Sequence, residues 1–315
     1  MRRWSALVST VIVLAGLLVP ALAEGNPHLA GVFDLSGTPG QITRGPDGNI
    51  WVTISGSGLG NDLARITPHG NVTEYSPAAL VNPVGITSGP DGNLWLTRNG
   101  GVVRVPRADP DTAQDFNVAG ITDPRGITKG PEGKLWTGSG DQLVSFLPGN
   151  PLGFDATTID GMGARGIAAS GGRLWIADFG GGRIVSVNQS GGIKKYNVGG
   201  GPQEVAKGPP KTIAFANPGS VPQTVGRIKQ GSNPRKTDVP DSDPFGMAFA
   251  PDDRWWFAEF ATSHLGLLSP NGTLRQFRDL PDNSGPRYVA VGPNGTLWVS
   301  LETAQKVARI KGIAP

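Results

Sequence analysis

Four arginines and two carboxylates lie at corresponding points of a chain that repeats itself, and side chains of these types could perform chemistry there. They are Arg98, Arg125, Arg165, Arg287, Asp178 and Glu259. Guanidinium groups hold carboxylates and phosphates through paired N–H donors, whereas carboxylates hold divalent cations or transfer protons. Glu259 therefore fits metal binding or acid-base work as well as an ion pair with Arg287. Arg165 and Asp178 could equally form a structural salt bridge with each other.

The histidine and cysteine content excludes several other kinds of site. The chain has no cysteine, and its three histidines, His28, His69 and His264, fall outside the positions named above. A disulfide, a thiol nucleophile and a cysteine-ligated zinc are therefore excluded. The sequence also offers no Ser-His-Asp arrangement and no multi-histidine metal site.

A repeated fragment indicates the elements that must position these residues. "GPDGNIWVT" at 45–53 recurs as "GPDGNLWLT" at 89–97, "GPEGKLWTG" at 130–138 and "GPNGTLWVS" at 292–300, with a diverged copy "APDDRWWFA" at 250–258. Aligned on the tryptophan, the equivalent positions are Trp51, Trp95, Trp136, Trp175, Ala214, Trp256 and Trp298, spaced 39 to 44 residues apart. Seven units of this length are typical of a repeat architecture.

Each unit holds four short β-like runs, seen in the second unit as "VGITSG", "NLWLTR", "GVVRVP" and "QDFNVA". This pattern predicts an all-β fold, a seven-bladed β-propeller with four strands per blade. The seventh unit lacks an outermost strand, so we predict that "LAGVFDL" at 29–35 closes this last blade from the N-terminal side. The fifth unit has Ala214 in place of tryptophan, but the unbroken spacing still predicts a blade.

The fragment "GPDG" predicts a turn rather than a phosphate-binding loop, because a strand and not a helix follows it. The far ends of the two strands that this turn joins must then be neighbours. We call the residue after the recurring proline, or its equivalent, the strand-start residue, and the last residue of the second strand the strand-end residue. The strand-start residues are Gly40, Val84, Arg125, Arg165, Gln203, Phe245 and Arg287. The strand-end residues are Ile54, Arg98, Ser139, Asp178, Asn217, Glu259 and Leu301, with Glu302 following.

These two sets should ring one mouth of the central channel. Framework positions of a repeat tend to stay the same, whereas these positions vary, as positions that recognise a ligand do. We therefore predict that a small-molecule or protein ligand binds at this mouth. The candidate ligand-binding residues are Arg98, Arg125, Arg165, Asp178, Gln203, Phe245 and Arg287.

The N-terminal segment has the pattern of an export signal. Arg2 and Arg3 precede an apolar run that ends in Ala21-Leu22-Ala23, which predicts a signal peptide over 1–23 and a single propeller domain over 24–315. Removal of the two arginines lowers the formal net charge of +3 to +1, so the composition does not indicate a nucleic-acid partner. We expect a secreted or periplasmic monomer that has no membrane contact after cleavage.

The repeat resembles that of the streptogramin lyase, or virginiamycin B lyase, family. The resemblance rests on segments such as "NPVGITSGPDGNLWLT" and "DPFGMAFAPDDRWWFAEF" and covers nearly all of the chain after the signal. Members of this family are seven-bladed propellers that open the ester of a cyclic depsipeptide antibiotic by elimination. They use a Mg²⁺ ion held by glutamates and a histidine that acts as the general base.

The resemblance also implies site residues. In register, the family's sixth-unit histidine corresponds to Phe245, its Glu-Pro-His to Gly285-Pro286-Arg287, and its last glutamate to Leu301. The sixth unit matches better locally, since Asp243 and Glu259 keep both acids there. The resemblance thus implies Asp243 and Glu259 as catalytic residues and as ligands of Mg²⁺, although neither alignment retains the histidine.

Three hypotheses follow for the function. The first is a metal-assisted lyase or hydrolase that opens an ester or lactone with a diverged active site. The second is a non-catalytic propeller that binds a polar or anionic ligand, or a protein, through the arginines of its mouth. The third is a hydrolase similar to gluconolactonase or regucalcin, which seven tryptophan-centred units disfavour because those propellers normally have six blades.

Overall fold

Short strands with buried centres build the whole molecule. The computed structural model describes residues 26–56, 62–118 and 121–313, so the predicted signal peptide lies outside the described residues. Within these ranges the chain forms seven antiparallel sheets of four strands each, which confirms the predicted all-β, seven-bladed propeller. No helix among the described residues is long and apolar enough to cross a membrane.

Blades one to four follow one another along the chain, and each runs from its innermost to its outermost strand. Blade one consists of β2 (Thr38–Arg44), β3 (Ile50–Ser55), β4 (Leu63–Ile66) and β5 (Val72–Tyr75). Blade two consists of β6 (Ile86–Ser88), β7 (Leu94–Arg98), β8 (Gly101–Val105) and β9 (Gln114–Asn117). Blade three consists of β10 (Pro124–Lys129), β11 (Leu135–Ser139), β12 (Gln142–Leu147) and β13 (Asn150–Thr158). Blade four consists of β14 (Ala164–Ser170), β15 (Arg173–Asp178), β16 (Arg183–Asn188) and β17 (Ile193–Asn197).

Blades five to seven complete the ring. Blade five consists of β18 (Glu204–Lys207), β19 (Thr212–Asn217), β20 (Thr224–Lys229) and β21 (Arg235–Asp238). Blade six consists of β22 (Pro244–Phe249), β23 (Trp255–Glu259), β24 (His264–Leu268) and β25 (Leu274–Phe277). Blade seven consists of β26 (Pro286–Val291), β27 (Leu297–Leu301), β28 (Lys306–Lys311) and β1 (His28–Asp34). Three single 3-10 turns lie at Pro110–Thr112, Pro131–Gly133 and Pro293–Gly295.

The ring closes through β1, as the sequence predicted. This strand pairs antiparallel with β28, from His28 opposite Lys311 to Asp34 opposite Lys306. Phe33 of β1 stacks on Trp298 of β27 with ring centroids 5.5 Å apart. The last blade therefore joins the two ends of the described chain through backbone hydrogen bonds and an aromatic contact.

The core consists of layers between neighbouring blades, and the repeated tryptophan lies in these layers. Trp51 of blade one, for example, is fully buried in a cluster with Leu94, Leu96 and Val103 of blade two. Burial of an aromatic ring removes a large apolar area from water, at about 25 cal/mol per Å². The layers between neighbouring blades thus contribute much of the stability of the ring.

The "GPDG" fragments form turns that also hold the tryptophans. Gly48 and Gly92 have positive φ angles of 81° and 74°, which explains why glycine recurs at this point. The carboxylates of Asp47 and Asp91 accept hydrogen bonds from the indole Nε1–H of Trp51 and Trp95, each at 3.0 Å. The fragment is therefore a structural turn, as predicted.

Blade five receives the tryptophan that its own repeat lacks from blade six. The indole of Trp255 donates to the carbonyl of Lys207 at 3.0 Å and packs so tightly on Gly208 that a side chain there would collide with it. In blades one to three the corresponding glycine is covered in the same way by the tryptophan of its own blade. The "WW" pair of β23 therefore serves two blades, since Trp256 fills the usual place in blade six.

Candidate functional site

The innermost strands change register at the end that faces the channel mouth. In five blades the shift falls near the start of the strand, just after its proline or the equivalent alanine, for example between Pro124 and Ile127 and between Pro286 and Val289. Two residues in each of these strands are therefore released from regular pairing, as in a β-bulge. The first is the strand-start residue defined above; we call the next one the second bulge residue. Blades two and five carry residues at the corresponding positions, so the ring has one such pair per blade.

These released residues enclose a cavity of about 110 Å³ at the mouth of the channel. We call it the mouth cavity. Its lining comprises Gln41, Val84, Arg125, Arg165, Gly166, Gln203, Glu204, Phe245, Arg287 and Tyr288. The structure thus brings together five of the predicted ligand-binding residues, namely Arg125, Arg165, Gln203, Phe245 and Arg287, whereas Arg98 and Asp178 do not line it.

Two of the three arginines in the mouth cavity have acidic neighbours. Arg125 forms an exposed ion pair with Asp123 at 3.1 Å. The guanidinium of Arg287 lies 3.4 Å from Glu302 and also stacks on the ring of Phe245, 3.4 Å from its centroid. Ion pairs of exposed or partly exposed side chains contribute little to stability, so both arginines keep the capacity to bind an anion.

Arg165 differs from these two arginines because it has no such partner. Among the described residues it makes no hydrogen bond or ion pair, and its guanidinium lies 5.1 Å from the ring centroid of Phe179. Partial burial, and then the positive charge of Arg125, lower the pKa of Arg165, while the negative charge of Asp123, which is near but not paired with it, opposes the decrease. A guanidinium that is partly desolvated and unpaired beside a second arginine is a favourable place for an anion.

Glu204 is the acidic residue of the mouth cavity, and the repeat pattern did not lead us to predict it. Its carboxyl is enclosed by protein, although the residue keeps some surface at the cavity. This burial raises the pKa of Glu204 to about 7, and a hydrogen bond at 3.0 Å from the backbone N–H of Val205 opposes the rise. A carboxyl with a pKa close to neutrality can accept and release a proton under ordinary conditions.

Tyr288 lies beside Glu204 in the mouth cavity. Burial first, and then the negative charge of Glu204, raise the pKa of its hydroxyl, whereas Arg287 lowers it. The tyrosine therefore stays protonated and can donate a hydrogen bond to a ligand. Its backbone N–H donates to Ser300 Oγ at 3.0 Å, which fixes the start of β26.

The repeat pattern contains a feature from which Glu204 and Tyr288 could have been predicted. The second bulge residue is glycine in four blades, at Gly85, Gly126, Gly166 and Gly246, but Gln41, Glu204 and Tyr288 replace it in the others. A side chain at Gly166 would collide with the carboxyl of Glu204, and one at Gly246 with Tyr288. Gly166 and Gly246 thus make room for Glu204 and Tyr288, whereas Gly85 and Gly126 allow the backbone of the next blade to approach closely.

The strand-end residues of blades two and four bind other parts of the fold. Asp178 is fully buried, accepts the N–H groups of Gly163 and Gly181 at 2.8 Å each, and pairs with Arg183 at 2.5 Å rather than with Arg165. Arg98 donates to both carboxylate oxygens of Asp115, at 2.7 and 2.6 Å. Asp178 thus holds the connection that leads from blade three into blade four. Arg98 holds the outer strand β9 of its own blade.

The two carboxylates of blade six do not form a shared site with the mouth cavity. Glu259 is fully buried, and its Oε2 accepts from Thr262 at 3.2 Å and from Gln276 at 2.9 Å, while Oε1 has no partner among the described residues. Burial raises the pKa of Glu259, against these hydrogen bonds and the nearby His264. Asp243 is held through its backbone, which accepts from the N–H of Phe260.

The donor set around Glu259 does not fit a bound Mg²⁺ ion. This cation requires several oxygen ligands in octahedral geometry. In the described ranges no group of three or more histidine, cysteine, aspartate or glutamate residues could hold a metal ion. The hydrogen bonds that Thr262 and Gln276 donate already occupy Glu259 Oε2, so we derive no step through a metal.

Comparisons with known proteins agree on one family. The model of the "Virginiamycin B lyase family" matches residues 29–142 and 155–313. A virginiamycin B lyase of Nocardia farcinica (strain IFM 10152) is 31% identical over 133 residues, which is 41% of this chain and 46% of that protein. The aligned region therefore spans less than half the length of this relative.

Solved structures show the same fold over a greater length. A streptogramin B lyase structure has a TM-score of 0.79 and 20% sequence identity, and the match covers 91% of this chain and 98% of that one. A catalytically inactive virginiamycin B lyase from Staphylococcus aureus, solved with quinupristin, has a TM-score of 0.78 at 20% identity, with 91% and 99% covered. At this level of identity the likeness concerns the fold.

Proposed function

The chain belongs to the virginiamycin B lyase family, and from this premise we propose that it binds a small anionic molecule in its mouth cavity. The observation that carries the proposal is Arg165, whose guanidinium faces the cavity without an acidic partner among the described residues. Arg125 and Arg287 add positive charge at the same opening. A carboxylate suits these donors, because a guanidinium can hold both of its oxygens at once.

The size of the mouth cavity supports a small ligand group. Its volume of about 110 Å³ equals that of roughly four liquid water molecules at about 30 Å³ each. The carboxylate end of a short organic acid fits this space, and any larger part of the ligand would extend outward over Phe245 and Gln203. Val84 and Phe245 supply apolar contacts for the carbon atoms next to the carboxylate.

Titration with succinate, lactate and inorganic phosphate would test this proposal by calorimetry. We expect Arg165→Gln to weaken carboxylate binding at least tenfold, because the substitution removes the unpaired charge. Arg44→Gln is the matched control, since Arg44 is an exposed arginine outside the cavity. Equal binding by the Arg165 variant and the wild type would refute the proposal.

A second candidate function is the opening of an ester or lactone by elimination, and the position of Glu204 favours it. Its carboxylate would take a proton from the carbon adjacent to the one that carries the single-bonded ester oxygen, on the alcohol side of the ester. The electrons of that C–H bond would form a carbon–carbon double bond while the carbon–oxygen bond breaks. The released carboxylate would then pair with Arg165, so no water is consumed.

Incubation with quinupristin, the compound present with the Staphylococcus aureus enzyme, would test this second function. Elimination gives a ring-opened product of unchanged mass, whereas hydrolysis adds the mass of water, and mass spectrometry with chromatography separates the two. We expect Glu204→Gln to abolish any such product. Activity that survives in Glu204→Gln and disappears in Glu259→Gln would instead assign the base to blade six.

The family resemblance predicts Mg²⁺ with Asp243 and Glu259 as its ligands, whereas the donor set around Glu259 argues against it. Calorimetric titration of MgCl₂ into the wild type and into Glu259→Gln tests it directly. Binding by the wild type alone would support those ligands. The export and monomeric state that we propose can be checked by N-terminal sequencing of the protein recovered outside the cytoplasm and by light scattering.

A further inference from the structure

A stacked aromatic pair recurs on one face of five blades. The repeated tryptophan of the second strand stacks or packs on an aromatic residue of the outermost strand, with ring centroids 5.5 to 5.9 Å apart. The pairs are Trp51–Tyr75, Trp95–Phe116, Trp175–Tyr196, Trp256–Phe277 and Trp298–Phe33. In each of these blades the tryptophan of the pair packs in the layer between its own blade and the next one.

Blade three has the tryptophan but lacks its aromatic partner. The strand register places Thr157 opposite Leu143, which corresponds to Tyr196 opposite Ile184 in blade four. A threonine therefore stands where the other blades carry a ring. The aromatic residue of β13, Phe154, packs instead with the cluster around Trp95, on the other side of the blade.

The missing ring leaves a cavity of about 200 Å³ between blades three and four. We call it the Trp136 cavity. Its apolar walls are Trp136, Leu143, Leu174 and Val187. An engineered apolar cavity of about 150 Å³ in another protein is large enough to bind benzene, so the Trp136 cavity has room for one aromatic ring with a substituent.

Two buried polar atoms of residues that line the Trp136 cavity have no hydrogen-bond partner among the described residues. They are the indole Nε1 of Trp136 and Oγ of Ser145, a residue that is only 1% exposed. The other described tryptophans all donate through Nε1, as Trp51 does to Asp47. In blade three, Glu132 replaces that aspartate and turns to the surface, 3.8 Å from Lys134.

We propose that the Trp136 cavity is a second binding site, which takes a small aromatic molecule that carries a hydroxyl group. The ring fills the space that Tyr75 or Tyr196 fills in other blades and contacts the indole of Trp136. The hydroxyl oxygen accepts the Nε1–H of Trp136 and exchanges a hydrogen bond with Ser145 Oγ. Both polar atoms then gain the partners that buried groups ordinarily have.

This site is independent of the mouth cavity. It lies in the layer between two blades, beside the ion pair that joins Lys134 to Asp155 at 2.8 Å. None of its lining residues takes part in the mouth cavity. A ligand bound here would tie the outer strand β13 to blade four.

Phenol is the probe that tests the proposal, with cyclohexanol as the matched compound that keeps the hydroxyl and loses the aromatic plane. The readout is the indole N–H resonance of Trp136 in ¹H–¹⁵N spectra, assigned by its loss in Trp136→Phe. We expect saturable shifts of this resonance with phenol and at least tenfold weaker binding of cyclohexanol. No shift of the Trp136 resonance at tens of millimolar phenol would overturn the proposal.

Two variants sharpen the test. Thr157→Tyr supplies the missing ring, so we expect it to abolish phenol binding, whereas Thr73→Tyr on the exposed surface of β5 should leave it unchanged. Should Thr157→Tyr fail to fold, the double variant Glu132→Asp, Lys134→Asn restores the turn sequence of blades one and two and returns an acceptor to Trp136. We expect this variant to bind phenol several-fold more weakly, and unchanged binding in every folded variant would refute the site.

Discussion

At the scale of single residues, Glu204 makes stability depend on pH. Its pKa is raised from 4.5 to about 7 in the folded protein, so between these values the native state holds a proton that the unfolded state releases. Stability contributed by this group is present below pH 4.5 and falls as the pH rises to 7. The loss above pH 7 is on the order of 3 kcal/mol.

Glu204→Gln should therefore stabilise the protein at pH 8 by about 1–3 kcal/mol and have little effect at pH 4.5. Glutamine keeps the size of the side chain but cannot ionise. Urea unfolding of both proteins at several pH values measures the difference. A constant difference between pH 4.5 and 8 would show that the pKa of Glu204 is the same in the folded and unfolded proteins.

The same titration should control anion binding in the mouth cavity. Above pH 7 the carboxylate of Glu204 is negative, so it repels a bound carboxylate and competes for the guanidinium groups. We expect the affinity for succinate to fall several-fold between pH 6 and pH 8. In Glu204→Gln the affinity for succinate should be the same at both pH values, which calorimetry measures. An affinity that still falls in this variant would mean that another group causes the decrease.

The sequence predicted the ring of strand-start residues. It did not predict Glu204 and Tyr288, which follow strand-start residues in the chain and also line the mouth cavity. Turn chemistry is local, so "GPDG" located one end of each strand pair and thereby the other. Glu204 escaped notice because its importance depends on a local bulge, in which the N–H of Gln203 bonds to the carbonyl of Ala216 while Glu204 pairs with the same residue. Asp178 was equally suitable by position, but the structure buries it against Arg183 and two backbone amides.

At the scale of elements, β23 stabilises two blades through adjacent tryptophans. We predict that Trp255→Ala lowers the free energy of unfolding by about 3–5 kcal/mol, as removal of a large buried aromatic side chain does. Trp255→Phe should lower the free energy of unfolding by less than Trp255→Ala, because a ring still covers Gly208. Some loss remains, since the hydrogen bond to Lys207 is removed. Chemical denaturation measures both values, and equal losses would mean that the ring itself contributes little.

The sequence could not predict this exchange between blades. Periodicity identified the fifth unit as damaged, and the spacing predicted correctly that it remains a blade. Which neighbour fills the gap depends on contacts across the layer between blades, where Trp255 reaches β18. A one-dimensional repeat pattern contains no information on such contacts.

At the scale of the whole molecule, the closing contact of β1 determines whether the ring stays shut. Phe33→Ala removes the stack on Trp298, while Phe116→Ala removes the equivalent stack from blade two, whose strands are consecutive in sequence. We expect faster hydrogen exchange over β28 in Phe33→Ala and not in Phe116→Ala, because only the first variant loosens a strand that no short connection retains. Unchanged exchange in both would mean that the backbone ladder alone holds β1.

The pairing of β1 with β28 also constrains the order in which the molecule can be made. Translation delivers β1 before the other described strands, yet its hydrogen-bonding partner, β28, is the last of them to be made. Blades one to six can form in turn as they emerge, while β1 has to wait unpaired with its backbone groups open. The seventh blade, and with it the complete mouth of the channel, can therefore assemble only after β28 has left the ribosome.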